Sequence, residues 1–144
     1  MSFFDAIDIA ASGLTAERTR MDVTAENLAN AQTTNGPNGQ PYQRQEVVLQ
    51  QAGGFGATLA GALANGAPAK GVQVAGIVSD STPDKLVYDP GNPSANKQGY
   101  VSMPNVEPVT EMVDLISESR AYEADVTAMQ TAKSMYSQTL NLLK

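Results

Sequence analysis

The chain is 144 residues long and carries 9 Lys and Arg against 15 Asp and Glu, a net charge of −6 with a pI near 4.4. Phosphate binding needs a basic surface, so this balance argues against a nucleic-acid partner. Cysteine and histidine are absent, which removes the thiol nucleophile, the Ser-His-Asp triad, the usual zinc ligands and any disulfide framework. Only a carboxylate-based enzyme would survive that exclusion, and nothing in the carboxylate spacing supports one.

No stretch reaches the roughly 18 to 20 apolar residues of a membrane span. The start, Met1-Ser2-Phe3-Phe4-Asp5, lacks the basic opening and apolar run of a secretory signal. The expectation is a protein that stays in the cytoplasm or leaves by a route needing no cleaved signal. Charge and composition divide the chain into three parts. Residues 1–34 and 106–144 are each net −3, while residues 35–105 are neutral. Seven of the eight prolines and all glycines but Gly13 fall in the middle part. The ends therefore read as helices and the middle as turns and strands, an α+β arrangement with two long terminal helices pairing in coiled-coil fashion.

In the first segment Phe4, Ile7, Ala11, Leu14, Arg18, Met21, Ala25 and Leu28 step by three and four, a heptad seam with one polar member. The segment closes on Asn27-Leu28-Ala29-Asn30-Ala31-Gln32-Thr33-Thr34, read as a helix end with local caps. Strands are expected at Glu46–Leu49, Gly71–Val78, Lys85–Tyr88 and Gly99–Ser102, the last two joined by the turn-rich Asp89-Pro90-Gly91-Asn92-Pro93. Between 50 and 71, 13 of 22 residues are Gly or Ala, the composition of a mobile loop with at most one or two helical turns.

Asn105 offers an N-cap for the final helix, with Pro108 in its first turn. Met112, Leu115, Ser119, Tyr122, Val126, Met129, Lys133, Tyr136, Leu140 and Leu143 form its seam. At about 1.5 Å per residue this helix is on the order of 55 Å long. Either the seams close on each other as an intramolecular hairpin, or they meet neighbouring copies; the length favours neighbours. Glu111, Asp114 and Glu118 share a face that reads as solvated. Gly61 and Gly66 have phosphate-loop spacing, but Ala67-Pro68 stands where Lys-Ser/Thr is required. No cofactor, metal or catalytic site is expected.

Several stretches carry a family resemblance. Ser12-Gly13-Leu14 and Asn27-Leu28-Ala29-Asn30 resemble the N-terminal signature of bacterial flagellar rod and hook proteins. Ser119-Arg120-Ala121-Tyr122-Glu123-Ala124-Asp125 resembles the C-terminal one. Pro41–Val47, Tyr88-Asp89-Pro90 and Gly99–Val106 are similar to proximal rod subunits in particular. The resemblance implies a structural subunit that polymerises into the hollow drive shaft crossing the periplasm. It implies partners among other copies of the chain, other rod proteins, the rod-base adaptor, the MS ring and the type III export apparatus, with no direct membrane insertion. It marks Asn27, Leu28, Ala29, Asn30, Arg120, Tyr122 and Glu123 as family-motif residues. Phe3 and Ile7 fit the spacing of an export-gate recognition motif. The rival reading is a soluble helical-hairpin adaptor, which would remain in the cytoplasm.

Overall fold

In the computed structural model, residues 3–36, 38–53 and 71–142 are described. Helix α1 (Phe3–Ala29) is followed by strands β1 (Gln45–Gln51), β2 (Val72–Ser79), β3 (Lys85–Tyr88) and β4 (Tyr100–Met103), and then by helix α2 (Pro108–Leu142). The architecture is α+β, with two small two-stranded sheets, β1-β2 and β3-β4, between the helices. All four strands fall where alternation and turn residues place them, with ends differing by one or two residues. Most of the expected Gly/Ala loop, residues 54–70, lies outside the described residues, as does the short helix expected within it.

Contacts group the chain into two compact units. The first takes in the described residues of Met1–Thr19, Val48–Gly76 and Glu118–Lys144; the second takes in those of Arg20–Val47 and Ile77–Ser117. Both helices contribute to each.

α1 ends where Asn30 takes over. Its side-chain amide donates to the carbonyl of Glu26 at 3.0 Å, and its Oδ1 accepts from the Thr33 hydroxyl at 3.2 Å. The Asn30 N–H reaches the same carbonyl at 3.0 Å, so the Glu26 oxygen accepts from both the backbone and the side chain of Asn30. Thr33 in turn accepts the Tyr42 N–H at 3.1 Å and so begins the return of the chain.

At the start of α2 the structure corrects the expected cap. The carbonyl of Glu107 accepts the Glu111 N–H at 3.0 Å, so Glu107 is the cap residue and Pro108 the first helical one. Pro suits that position because its missing N–H would have no partner there. Asn105 is engaged elsewhere: its Oδ1 accepts the Arg44 N–H at 2.8 Å, and its amide donates to the carbonyls of Asp80 and Thr82 at 3.3 and 3.2 Å.

β3 and β4 pair antiparallel, with Lys85 opposite Met103 and Tyr88 opposite Tyr100. The two tyrosine rings meet edge to face at 5.3 Å, a geometry that places a positive ring edge on a negative face. Along β1 the odd positions Gln45, Val47 and Leu49 turn inward and the even ones outward, as the two-residue period of a half-covered strand requires.

The apolar core is small. Val23, Val101, Pro104 and Val106 are buried in the second unit, and Ala16 and Ala132 in the first. Polar groups share the interior: Thr24, Asn27, Glu111 and Glu118 are all buried. The face of Glu111, Asp114 and Glu118, expected in solvent, is therefore corrected. Both Glu111 and Glu118 are inside, and for Glu111 the burial is compensated by Asn27 and Arg44, partners remote in sequence.

Candidate functional site

The second unit is organised around Asn27, which is 1% exposed. Its Oδ1 accepts the N–H of Gln45, and its Nδ2 donates to the carbonyl of the same residue, at 2.9 and 2.8 Å. The side-chain amide thus serves Gln45 as a neighbouring strand's peptide would, and satisfies both backbone groups at the start of β1. Two further bonds complete it. The Tyr42 hydroxyl donates to Oδ1 at 2.9 Å, and Nδ2 also donates to Glu111 Oε2 at 3.1 Å.

The other oxygen of Glu111 accepts from Arg44 Nε at 2.5 Å. Glu111 is 1% exposed and Arg44 22%, so the carboxylate is buried and the guanidinium reaches the surface. A buried carboxylate is tolerable only when paired and hydrogen-bonded, and both conditions hold here. Arg44 also pairs with Glu46, and its Nη1 and Nη2 lie 3.9 and 3.7 Å from Asp80 and Asp114. One cation thus answers four carboxylates and ties three separate stretches of chain together.

The titration behaviour follows from the geometry. Arg44 is held further above its usual value, first by its hydrogen bond to Glu111. Burial, then the charges of Glu26 and Glu111, raise Tyr42. Asp80 is lowered first by the Thr82 hydroxyl, then by the Thr82 N–H, with Arg44 adding its charge. That last contribution is whole above the ordinary carboxylate value and fades as pH falls through the lowered one. The cluster is closed and fully committed to itself. It can clamp, its buried polar atoms being bonded to one another, and no metal-ligating group of side chains occurs among the described residues.

The first unit has a smaller latch. Ser12 Oγ donates to the carbonyl of Ile9 at 2.7 Å and accepts the Val72 N–H at 3.0 Å, fixing the start of β2 on α1. Gly71 precedes it with φ +84°, and a Cβ there would lie 2.1 Å from Ser12 Oγ. Only glycine meets both demands. Gly71→Ala is expected to lower stability by about 2 kcal/mol through strain and the lost serine bond. An unchanged midpoint in urea denaturation would refute the close approach.

Two family models match the chain. One described as "Flagella basal body rod protein" covers residues 7–37, and one described as "Flagellar basal body rod FlgEFG protein C-terminal" covers residues 97–142. Full-length relatives go further. The chain is 47% identical over 142 residues to the flagellar basal-body rod protein FlgC of Escherichia coli O6:H1, covering 99% of this chain and 98% of the relative. It is 45% identical over 150 residues to that of Bacillus subtilis, covering both chains completely. Against that of Borreliella burgdorferi it is 43% identical over 152 residues, covering 100% of this chain and 99% of the relative. The chain belongs to the FlgC family of flagellar basal-body rod proteins. It is a structural rod subunit of the flagellar basal body, and not an enzyme. No helix among the described residues is long and apolar enough to cross a membrane.

The FlgC-like motifs occupy different places in the structure. Asn27 is the centre of the clamp, Leu28 and Asn30 are half-buried, and Ala29 is exposed. Tyr122 is half-buried, whereas Arg120 and Glu123 face solvent. Of the α1 seam, Ile7, Ala11, Leu14, Met21 and Leu28 are half-buried, and Arg18 and Ala25 exposed; the fully buried α1 positions are Ala16, Val23, Thr24 and Asn27. Along α2, Leu115, Tyr122, Val126 and Met129 are half-buried, and Met112, Tyr136 and Leu140 exposed. Phe3 and Phe4 begin α1, while Leu143 lies outside the described residues. The residues that sequence reasoning missed are Tyr42, Arg44, Asn105 and Glu111 as one cluster with Asn27. Their only local signal was Arg44, a cation at the edge of a strand in a stretch with few other charges.

Proposed function

We propose that this chain is a proximal rod subunit, polymerising helically through its terminal helices into the hollow shaft that carries motor torque across the periplasm and surrounds the export channel. The full-length likeness to FlgC proteins carries this reading. In support, both helical seams keep half-buried apolar residues such as Leu14 and Met129, and Asn27 and Arg44 fasten both helices within the second unit. A torque-bearing subunit needs stiffness of this kind. Its partners are other copies of itself, other rod proteins, the rod-base adaptor and the MS ring. It reaches them through the type III export apparatus without a cleaved signal, with Phe3 and Ile7 as the gate-recognition pair.

The test is to purify detergent-resistant basal bodies and quantify the protein by mass spectrometry in the wild type and in Leu14→Asp and Met129→Asp. The wild-type chain should be stoichiometric with the rod. Both variants should be exported yet missing from it, with loss of motility. A protein confined to the cytosol would overturn the proposal, and normal motility in the variants would overturn the seam assignment.

A further inference from the structure

Three asparagines in the chain are followed directly by glycine, in Asn35-Gly36, Asn38-Gly39 and Asn65-Gly66. The third pair lies outside the described residues. The first two stand in the connection that returns the chain from α1 to β1, and both asparagines are exposed. Asparagine is a labile residue, and most of all before glycine, where no Cβ hinders the following backbone nitrogen. That nitrogen gives its proton to solvent and attacks the asparagine Cγ. The N–Cγ bond forms, the Cγ–Nδ2 bond breaks, and ammonia leaves. Water then opens the cyclic succinimide at either carbonyl. The product is aspartate, or isoaspartate with the backbone rerouted through the side chain.

In the folded chain both attacking nitrogens are engaged. The Gly36 N–H donates to the carbonyl of Gln40 at 2.8 Å, and the Gly39 N–H donates to the carbonyl of Gly36 at 2.9 Å. A proton held in this way cannot pass to solvent until the turn opens. The turn also needs both glycines. Gly39 has φ +72°, and a Cβ on Gly36 would lie 3.0 Å from the Gln40 oxygen. We infer that Asn35 and Asn38 are deamidation sites that the native turn holds closed, so that the reaction runs in the chain before it folds and is shut off by folding. The consequence falls on the clamp. The Tyr42 N–H meets the Thr33 carbonyl at 3.1 Å across the same connection, and the Tyr42 hydroxyl and Arg44 reach Asn27 and Glu111 from just beyond it. An isoaspartate adds a methylene to the backbone between Thr33 and Tyr42 and disturbs that placement. None of this depends on the rod reading.

To test it, the full-length chain is incubated in mildly alkaline buffer with and without concentrated urea, and its peptides are mapped by mass spectrometry with isoaspartate resolved chromatographically. In urea, Asn35 and Asn38 are expected to convert at rates similar to that of Asn65. Without urea, both are expected to convert at least about tenfold more slowly, as for a turn that opens only a small fraction of the time. Isoaspartate-containing chains returned to native buffer should show a lowered urea midpoint. The Asn35→Asp/Asn38→Asp double variant has the new charges without the extra methylene and should keep the wild-type midpoint. Equal rates with and without urea would overturn the protection, and no conversion in urea would overturn the sites themselves. A wild-type midpoint in the isoaspartate chains would overturn the link to the clamp.

Discussion

Replacing Asn27 with alanine is expected to cost about 4 kcal/mol of folding stability, a large part of the roughly 5–15 kcal/mol of an ordinary domain. The figure comes from what the substitution strands. Gln45 loses partners for both its N–H and its carbonyl, the Tyr42 hydroxyl loses its acceptor, and Glu111 loses one of its two donors. The site is 1% exposed, so water cannot replace those bonds without opening the unit. Asn27→Asp separates shape from donor capacity. It keeps the oxygen that Tyr42 and Gln45 use, but sets a second carboxylate against Glu111. This variant should be as unstable as alanine near neutral pH and should recover partly in acid, where one carboxylate takes a proton. Chemical denaturation across pH reads both effects, and a loss below about 1 kcal/mol for the alanine variant would remove Asn27 from the centre of the fold. The same bond set has an alkaline limit. The Tyr42 hydroxyl must keep its proton to donate, and its folded value is raised. Its contribution is therefore whole below about pH 10 and is lost as pH climbs through the raised value.

Arg44→Met should be nearly as damaging, at about 3–5 kcal/mol, because it leaves the Glu111 carboxylate buried with no counter-charge. Removal of the other partner is expected to cost less. In Glu111→Gln the guanidinium is 22% exposed and still has Glu46, Asp80 and Asp114 around it. The double variant Arg44→Met/Glu111→Leu should regain most of the loss, since an apolar pair avoids the desolvation that the ion pair must offset. Urea denaturation of the three variants gives the coupling energy directly. Equal losses for Arg44→Met and Glu111→Gln would contradict this account.

The strands were legible because their signals are local. Lys85–Tyr88 is found at its expected boundaries since its strand-favouring Leu86-Val87-Tyr88 run and the Asp89–Pro93 turn both lie within a few positions. The helices were legible for the same reason, their exact ends excepted. The residues that α1 buries within the single chain were not. A heptad count sees apolar residues and places the stripe at Ile7, Leu14 and Met21, whereas the structure buries Ala16, Val23 and Asn27. Glu111 reads as solvated because the cation that neutralises it lies 67 positions away, and no window along the helix contains it. Asn105 was assigned to the helix start for its residue type. Its actual partners, Arg44, Asp80 and Thr82, are 61, 25 and 23 positions distant. Polar burial is the part of a fold that local pattern reads worst, because its favourable term is always a second residue from elsewhere.

The span of the clamp also governs when the fold can form. Asn27 and Glu111 are separated by 84 residues, so a chain that emerges amino terminus first has no means of closing the clamp until its last third has followed. Long-range closures of this kind slow folding, since the entropy of the intervening chain must be surrendered before the contacts repay it. Until then Asn27 and Arg44 lack the Glu111 carboxylate that joins them. The native state is thus a property of the completed chain, and a passage that admits only extended polypeptide meets little resistance from the part already inside it.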